Sequence, residues 1–223
     1  MGGMVELWLV RHGETEWSAA GRHTSRTDVP LTEAGRAMAA QVGEYLKDTT
    51  FAAVLRSPML RAKETCEIAG FGARAVVDQG LCEWDYGVYE GRTSKEIQAE
   101  IPGWNVWTSP IVGGETVEHV GERADGVIAR AVAAAGAVGE EDVARVLLFA
   151  HAHILRILAA RWIGLEARDG SLLALGTGSV SVLGEERETR VIQRWNRTFE
   201  VSGGLRGNEG SAWGGVIRAV MAE

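Results

Sequence analysis

Residues 5–10 alternate apolar positions (Val5, Leu7, Leu9) with Glu6 and Trp8, and Arg11-His12-Gly13 follows directly. That pattern predicts a central strand that ends in a functional loop. Residues 146–150 form the most apolar strand candidate and feed His151-Ala152-His153, ahead of a helical run over 154–162. Shorter strands are expected at 52–55 and 75–77. Ala34, Met38, Val42 and Leu46 recur about one helical turn apart, and Thr32 after Pro30 is the natural N-cap of a helix reaching about Lys47. Ser57-Pro58 opens a helix that carries Arg61 on its first turn, then Thr65 and Ile68. A short helix from Ser94 toward Pro102 and a long one over 117–138 follow. Residues 180–183 and 191–195, separated by a charged turn over 184–190, predict an antiparallel hairpin.

Strands alternating with helices imply an α/β fold, a three-layer sandwich whose mostly parallel, partly mixed sheet has helices on both faces. One domain over 1–223 is expected, with its core over about 5–195 and a Gly-rich tail over about 201–223. In such sheets ligands bind outside the carboxyl ends of the strands, so Arg11-His12 and His151 are expected to converge.

Hydrophobic residues at 46% and charged residues at 24% are ordinary for a globular protein, and no apolar stretch is long enough to span a bilayer. With no basic-then-apolar N-terminal segment, a cytoplasmic location is expected. A net charge of -7 argues against a nucleic-acid partner. Any bound phosphate must therefore meet locally concentrated cations. Cys66 and Cys82 sit in no metal-ligand or C-x-x-C spacing and are expected to be buried free thiols.

Arg-His-Gly is a chance-prone tripeptide, and His12 alone is as compatible with a satisfied turn histidine as with a nucleophile. Three further residues belong to the same rim. Arg61, either a solvated helix arginine or a bidentate phosphate ligand, is one. Glu83 lies in Leu81-Cys82-Glu83-Trp84-Asp85-Tyr86-Gly87, where aromatic neighbours would desolvate it, and His151 is the third.

Taken in order, these segments resemble the histidine phosphatase superfamily, in the branch of phosphoglycerate mutases and small acid phosphatases. The resemblance rests on Leu-Val-Arg-His-Gly-Glu-Thr-Glu-Trp, Thr27-Asp28 before Pro30-Leu31-Thr32, Ser57-Pro58 with Arg61-Ala62, Glu83 through Tyr89-Glu90-Gly91, Gly113-Gly114-Glu115-Thr116, and Phe149-Ala150-His151. It implies a phosphoglycerate mutase-like sandwich in which His12 takes a phosphoryl group, Arg11, Arg61 and His151 hold its oxygens, and Glu83 protonates the leaving alcohol. Desolvation and a bound dianion are expected to raise the pKa of Glu83, which displaces activity toward mildly acidic pH.

The chain departs from the family at Ser18, where Asn is common, at Thr24-Ser25, and at Ala152, where Gly is common. The Glu-Trp-Asp-Tyr-Gly pattern is most similar to acid phosphatase and sedoheptulose-bisphosphatase-like members. Ser18, His23, Thr24, Tyr86 and Ala152 are the candidate substrate contacts, with Arg22 and His153 beside them; Tyr86 could equally pack, and His153 could cap the following helix. Trp104 and Trp107 are candidates for a pocket wall or for core, and His119 for plain surface. The implied activity is hydrolysis of a small phosphorylated metabolite, a sugar phosphate among the candidates, with no cofactor and no metal. A phosphoglycerate mutase is the rival enzyme, and a phosphate-recognising interaction module the non-enzymatic one. No membrane partner is expected, and a homodimer is left open.

Overall fold

The computed structural model describes residues 4–136 and 143–199. Six strands, β1 (Met4–Arg11), β2 (Ala53–Arg56), β3 (Ala75–Val77), β4 (Val143–Ala150), β5 (Val180–Glu186) and β6 (Thr189–Arg197), form one sheet in the order β3-β2-β4-β1-β5-β6. The β3, β2, β4 and β1 neighbours pair parallel, whereas β5 is antiparallel to both β1 and β6. This is the expected mixed sheet. The Gly-rich tail lies outside the described residues.

Among the described residues six α-helices accompany it: α1 (Glu16–Ala19), α2 (Glu33–Leu46), α3 (Leu60–Ile68), α4 (Ser94–Glu100), α5 (Val117–Gly136) and α6 (Ala152–Trp162). The side-chain alternation of a strand divides the core in two. Trp8, Val10, Leu147 and Phe149 pack with Val42 and Leu46 of α2 and Cys66 of α3. Leu7, Leu9, Val146 and Leu148 pack on the opposite face with Val120, Val127 and Ile128 of α5 and Ile154, Leu155 and Leu158 of α6. The three layers follow directly. Cys66 is fully buried and its thiol is pushed up to about 12, but Cys82 is only half-buried, contrary to expectation.

Several boundaries differ from the expected ones for identifiable reasons. Thr32 does cap α2, its side chain accepting from the Gly35 N–H, but α3 begins at Leu60 rather than at Ser57-Pro58. Its first amide is satisfied by Asp28 Oδ1 at 2.9 Å, a cap from a distant loop. The charged stretch over 184–190 is mostly strand: Gly184 pairs with Val191, Glu185 with Arg190 and Glu186 with Thr189. The turn narrows to Arg187 and Glu188, with Arg187 at φ 58°. Among the described residues no helix is long and apolar enough to cross a membrane.

Candidate active site

Arg11 and Ala150 are register partners at the carboxyl ends of two adjacent parallel strands, so the residues after them must emerge side by side. The His12 N–H donates to the Ala150 carbonyl at 3.0 Å, and the His12 and His151 rings lie 5.3 Å apart. The convergence expected from the sequence is therefore built into the sheet.

His12 is held in one tautomer. Its Nδ1 lies 2.7 Å from the Gly13 carbonyl, which can only accept, so Nδ1 carries the proton and Nε2 keeps the lone pair. Burial, reinforced by the guanidiniums of Arg61 and Arg11, holds this imidazole well below the usual histidine value. The loop that carries it is fixed from several sides: the Gly13 N–H donates to Thr65 Oγ1 at 3.0 Å, and the His12 carbonyl accepts from Gly178 at 3.0 Å.

Arg61 is fully buried and serves the protein more than a ligand. Its Nε donates to His151 Nδ1 at 3.0 Å, Nη1 to the Thr27 carbonyl at 3.1 Å, and Nη2 to the Thr24 and Ser25 carbonyls at 3.1 and 3.0 Å. Four of its five N–H groups are thereby engaged, which rules out the bidentate fork in this arrangement. Glu90 completes the clamp, its carboxylate accepting from the Ser25 and Thr27 amides. Arg61 also leaves His151 only its other nitrogen as a donor, and Nε2 meets Ser57 Oγ at 2.8 Å. Burial and the adjacent Arg61 hold His151 well below the usual histidine value.

Arg11 behaves differently. One terminal nitrogen donates to the Leu175 carbonyl, but its buried Nε has no hydrogen-bond partner among the described residues. An unsatisfied buried cationic N–H is costly unless a ligand completes it. Arg11 and His12 line an open cavity of about 220 Å³ together with Glu83, Tyr86, Ala152, Ser18, His23 and Thr24. Two larger grooves, of about 320 and 340 Å³, lie elsewhere and are lined by no histidine.

The sequence profile of the Histidine phosphatase superfamily (branch 1) matches residues 7–198, which spans both histidines, Arg61 and Glu83. The chain belongs to this superfamily. An acid phosphatase of Mycobacterium tuberculosis is 39% identical over 189 residues, covering 83% of this chain and 89% of that one. A sedoheptulose 1,7-bisphosphatase of Saccharomyces cerevisiae is 36% identical over 182 residues, 70% of this chain and 67% of the yeast protein. The solved structure of a mycobacterial glucosyl-3-phosphoglycerate phosphatase superposes with a TM-score of 0.77 at 27% identity, covering 86% and 99% of the two chains.

Within this histidine phosphatase, Glu83 occupies a place its sequence context did not foretell. Its Oε1 accepts from the Trp84 and Ile154 amides at 3.0 and 2.9 Å, and its Oε2 from the His153 amide at 3.0 Å. Two of these donors are first-turn amides of α6, so the carboxylate sits at a helix N-terminus. Burial alone would favour the neutral acid, but these amide donors and the adjacent His153 outweigh it. Glu83 is held well below the usual carboxylate range, the reverse of the rise expected from burial.

The substrate candidates divide. Tyr86 is buried with its hydroxyl 2.7 Å from His153 Nδ1, and that nitrogen lies 3.8 Å from Glu83 Oε2. His23 packs 4.8 Å from Tyr86 and 5.4 Å from Trp104, and burial together with His153 lowers it to about 4, so it is neutral near pH 7. Ser18 lines the cavity, but its hydroxyl closes a capping box with Thr15. The Thr24 hydroxyl donates to the Arg22 carbonyl, and Ala152 opens α6 at the cavity wall. Trp104 is core, whereas Trp107 backs His153 and Arg156; His119 is surface, 3.6 Å from Glu115. Arg156 lines the same cavity and was missed. Between Leu155 and Ile157 it reads as a solvated helix arginine, and only its spacing of one turn from His153 hints otherwise.

Proposed function

We propose that the protein hydrolyses small phosphomonoesters, sugar phosphates among them, through a phosphohistidine formed on His12. The observation that carries this reading is the His12 tautomer: a buried neutral imidazole offers Nε2 beside an arginine whose Nε is unsatisfied. Nε2 attacks phosphorus in line, the P–N bond forms as the P–O bond to the alcohol breaks, and the departing oxygen takes a proton through Glu83. Water then attacks the phosphohistidine, the new P–O bond forms as the P–N bond to Nε2 breaks, a water proton returns to the Glu83 carboxylate, and inorganic phosphate leaves. Arg11, whose buried Nε has no partner among the described residues, stabilises the charge on the equatorial oxygens. Arg61 and His151 act chiefly by fixing each other and the loop over 24–27.

Hydrolysis is favoured over mutase chemistry because a phosphohistidine survives for transfer only where water is excluded, and Gly21 at the edge of this cavity is solvent-exposed. The acid phosphatase and bisphosphatase relatives, at 39% and 36% identity, favour this reading over the relatives named probable phosphoglycerate mutase, at 30%. The test is to quench the enzyme with radiolabelled ester and isolate the protein. An acid-labile, base-stable label that disappears in His12→Ala is expected; a label that persists in His12→Ala overturns the nucleophile.

A further inference from the structure

Gly113-Gly114-Glu115 lines no part of the cavity, yet it is tied to the segment that carries Glu83. Glu83 lies in residues 82–86, which form neither helix nor strand and stand between short 3-10 turns over 79–81 and 87–89. The backbone groups of such a segment depend on partners elsewhere in the chain. Residues 112–115 supply some of them. The Glu115 N–H donates to the Asp85 carbonyl and the Val88 N–H to the Val112 carbonyl, both at 3.0 Å. The two segments run so close that a Cβ on Gly114 would stand 2.1 Å from the Asp85 carbonyl oxygen, which restricts that position to glycine.

The glutamate of the motif closes on a cation. Arg123 stands on α5, which Val120, Ala124 and Val127 anchor in the core. Its Nε and Nη2 donate to the two Glu115 carboxylate oxygens at 3.0 and 2.9 Å. Its remaining donors all go to the segment that ends at Glu83: Nη1 to the Gly80 and Cys82 carbonyls, both at 2.7 Å, and Nη2 to the Glu83 carbonyl at 3.3 Å. All five N–H groups are thereby engaged. Glu115 continues the brace, its Oε2 accepting from the Asp85 N–H at 3.0 Å and its carbonyl from Trp84 Nε1 at 2.9 Å. The two side chains are only 17% and 16% exposed, so water competes little for these bonds. A planar guanidinium holds such a set of acceptors in fixed directions, which an ammonium on a flexible stem cannot do.

We propose that Arg123 and Glu115 are positioning residues for proton delivery, fixing the backbone from which Glu83 reaches the leaving oxygen. Neither lines the cavity. The proposal rests on the phosphatase reading and on Glu83 as the proton carrier. The alternative is that the pair only stabilises the fold, which would affect every ester alike.

The test compares kcat/KM for p-nitrophenyl phosphate, whose leaving group departs without a proton, with that for glycerol 3-phosphate or fructose 6-phosphate, whichever is turned over faster. A displacement of Glu83 by about 1 Å should cost the alkyl ester about 10- to 100-fold. Arg123→Gln is expected to show that loss, with less than about a threefold loss for the aryl ester, and Arg123→Lys to recover part of it. Glu115→Gln, which keeps the side-chain shape, should change the same ratio in the same direction, and it decides the matter if Arg123→Gln does not fold. In a Glu83→Gln background, Arg123→Gln should lower alkyl turnover by no more than about twofold further, because the group it positions is already gone. Equal losses for the two esters, or losses that multiply in full with Glu83→Gln, overturn the proposal and leave the pair a stabiliser of the fold. Wild-type turnover of the aryl ester alone overturns it too, since Glu83 then delivers no proton. Failure to release phosphate from any of these esters would instead defeat the phosphatase reading, and the proposal with it.

Discussion

Gly35→Ala places two physical effects in direct opposition. Gly35 lies within α2, where alanine is intrinsically better by about 1 kcal/mol. A Cβ there would stand 2.1 Å from the Glu14 carbonyl oxygen and 2.8 Å from its amide nitrogen, and both obstacles are backbone. The contact is reciprocal, since a Cβ on Gly13 would meet the Gly35 carbonyl oxygen at 2.2 Å. Relief requires the loop after His12 to move by roughly 1 Å, which costs about 1–3 kcal/mol as overpacking. It also disturbs the cap of α2, because Glu14 O accepts the Thr32 amide at 2.9 Å while Thr32 caps Gly35 at 3.0 Å. A weakened cap adds about 1 kcal/mol. The net expectation is a loss of about 1–3 kcal/mol, or roughly 2–12 °C in Tm for a domain of this size. Displacing the nucleophile by that distance should lower kcat by about 100-fold. Gly126→Ala is the matched control: in α5 its Cβ would meet only the far end of Arg130 at 3.1 Å, so stability should rise by up to about 1 kcal/mol. Thermal unfolding of the three proteins decides the matter. A Gly35→Ala protein that melts at or above wild type would refute the steric argument.

Acidification should destabilise the fold before it protonates ordinary carboxylates. His12, His23 and His151 are all lowered from 6.5, so the unfolded chain binds their protons first. Their stabilisation is complete above pH 6.5 and is lost as pH falls toward their folded values, at about 1.4 kcal/mol per pH unit for each. Glu83, also lowered, withdraws support in the same direction below 4.5. Urea midpoints that stay level from about pH 7.5 to 5 would contradict this linkage. Glu83→Gln should reduce phosphoryl transfer by about 100- to 10,000-fold, with the greater loss for an alkyl ester. Equal losses for an alkyl and an activated aryl phosphate would remove the proton-delivery role.

Much of this site was legible because strand ends are legible. The apolar runs before His12 and His151 read as strands of a mostly parallel α/β sheet, whose carboxyl ends share one rim, and their direct pairing in the structure brings the two rings together. What escaped was the pairing of donors with acceptors that are distant in sequence. Arg61 shows a cation in the sequence, but not the three loop carbonyls and the His151 nitrogen that engage it. Glu83 shows aromatic neighbours, which argue for a raised pKa, but not the amides of His153 and Ile154 from the start of α6, which reverse it. Arg156 was hidden because its acceptors, Gly170 and Ser171, lie in a later turn.

The lowered pKa of both His12 and Glu83 fixes where the catalytic proton comes from. At neutral pH His12 is a neutral nucleophile and Glu83 an ionised carboxylate, so Glu83 has no proton of its own to give the leaving oxygen. The substrate must bring it, either as a bound monoanion or as a dianion plus a proton taken up by Glu83; the two routes share one protonation state and one pH dependence. The fall of kcat/KM at high pH should then follow the second pKa of the free ester, about 6 for an alkyl phosphate, dropping about tenfold per unit above it. Two esters whose second pKa values differ by about one unit should show limbs displaced by the same interval. Limbs that coincide would assign the titration to a group of the free protein and would refute the substrate as the source of the proton.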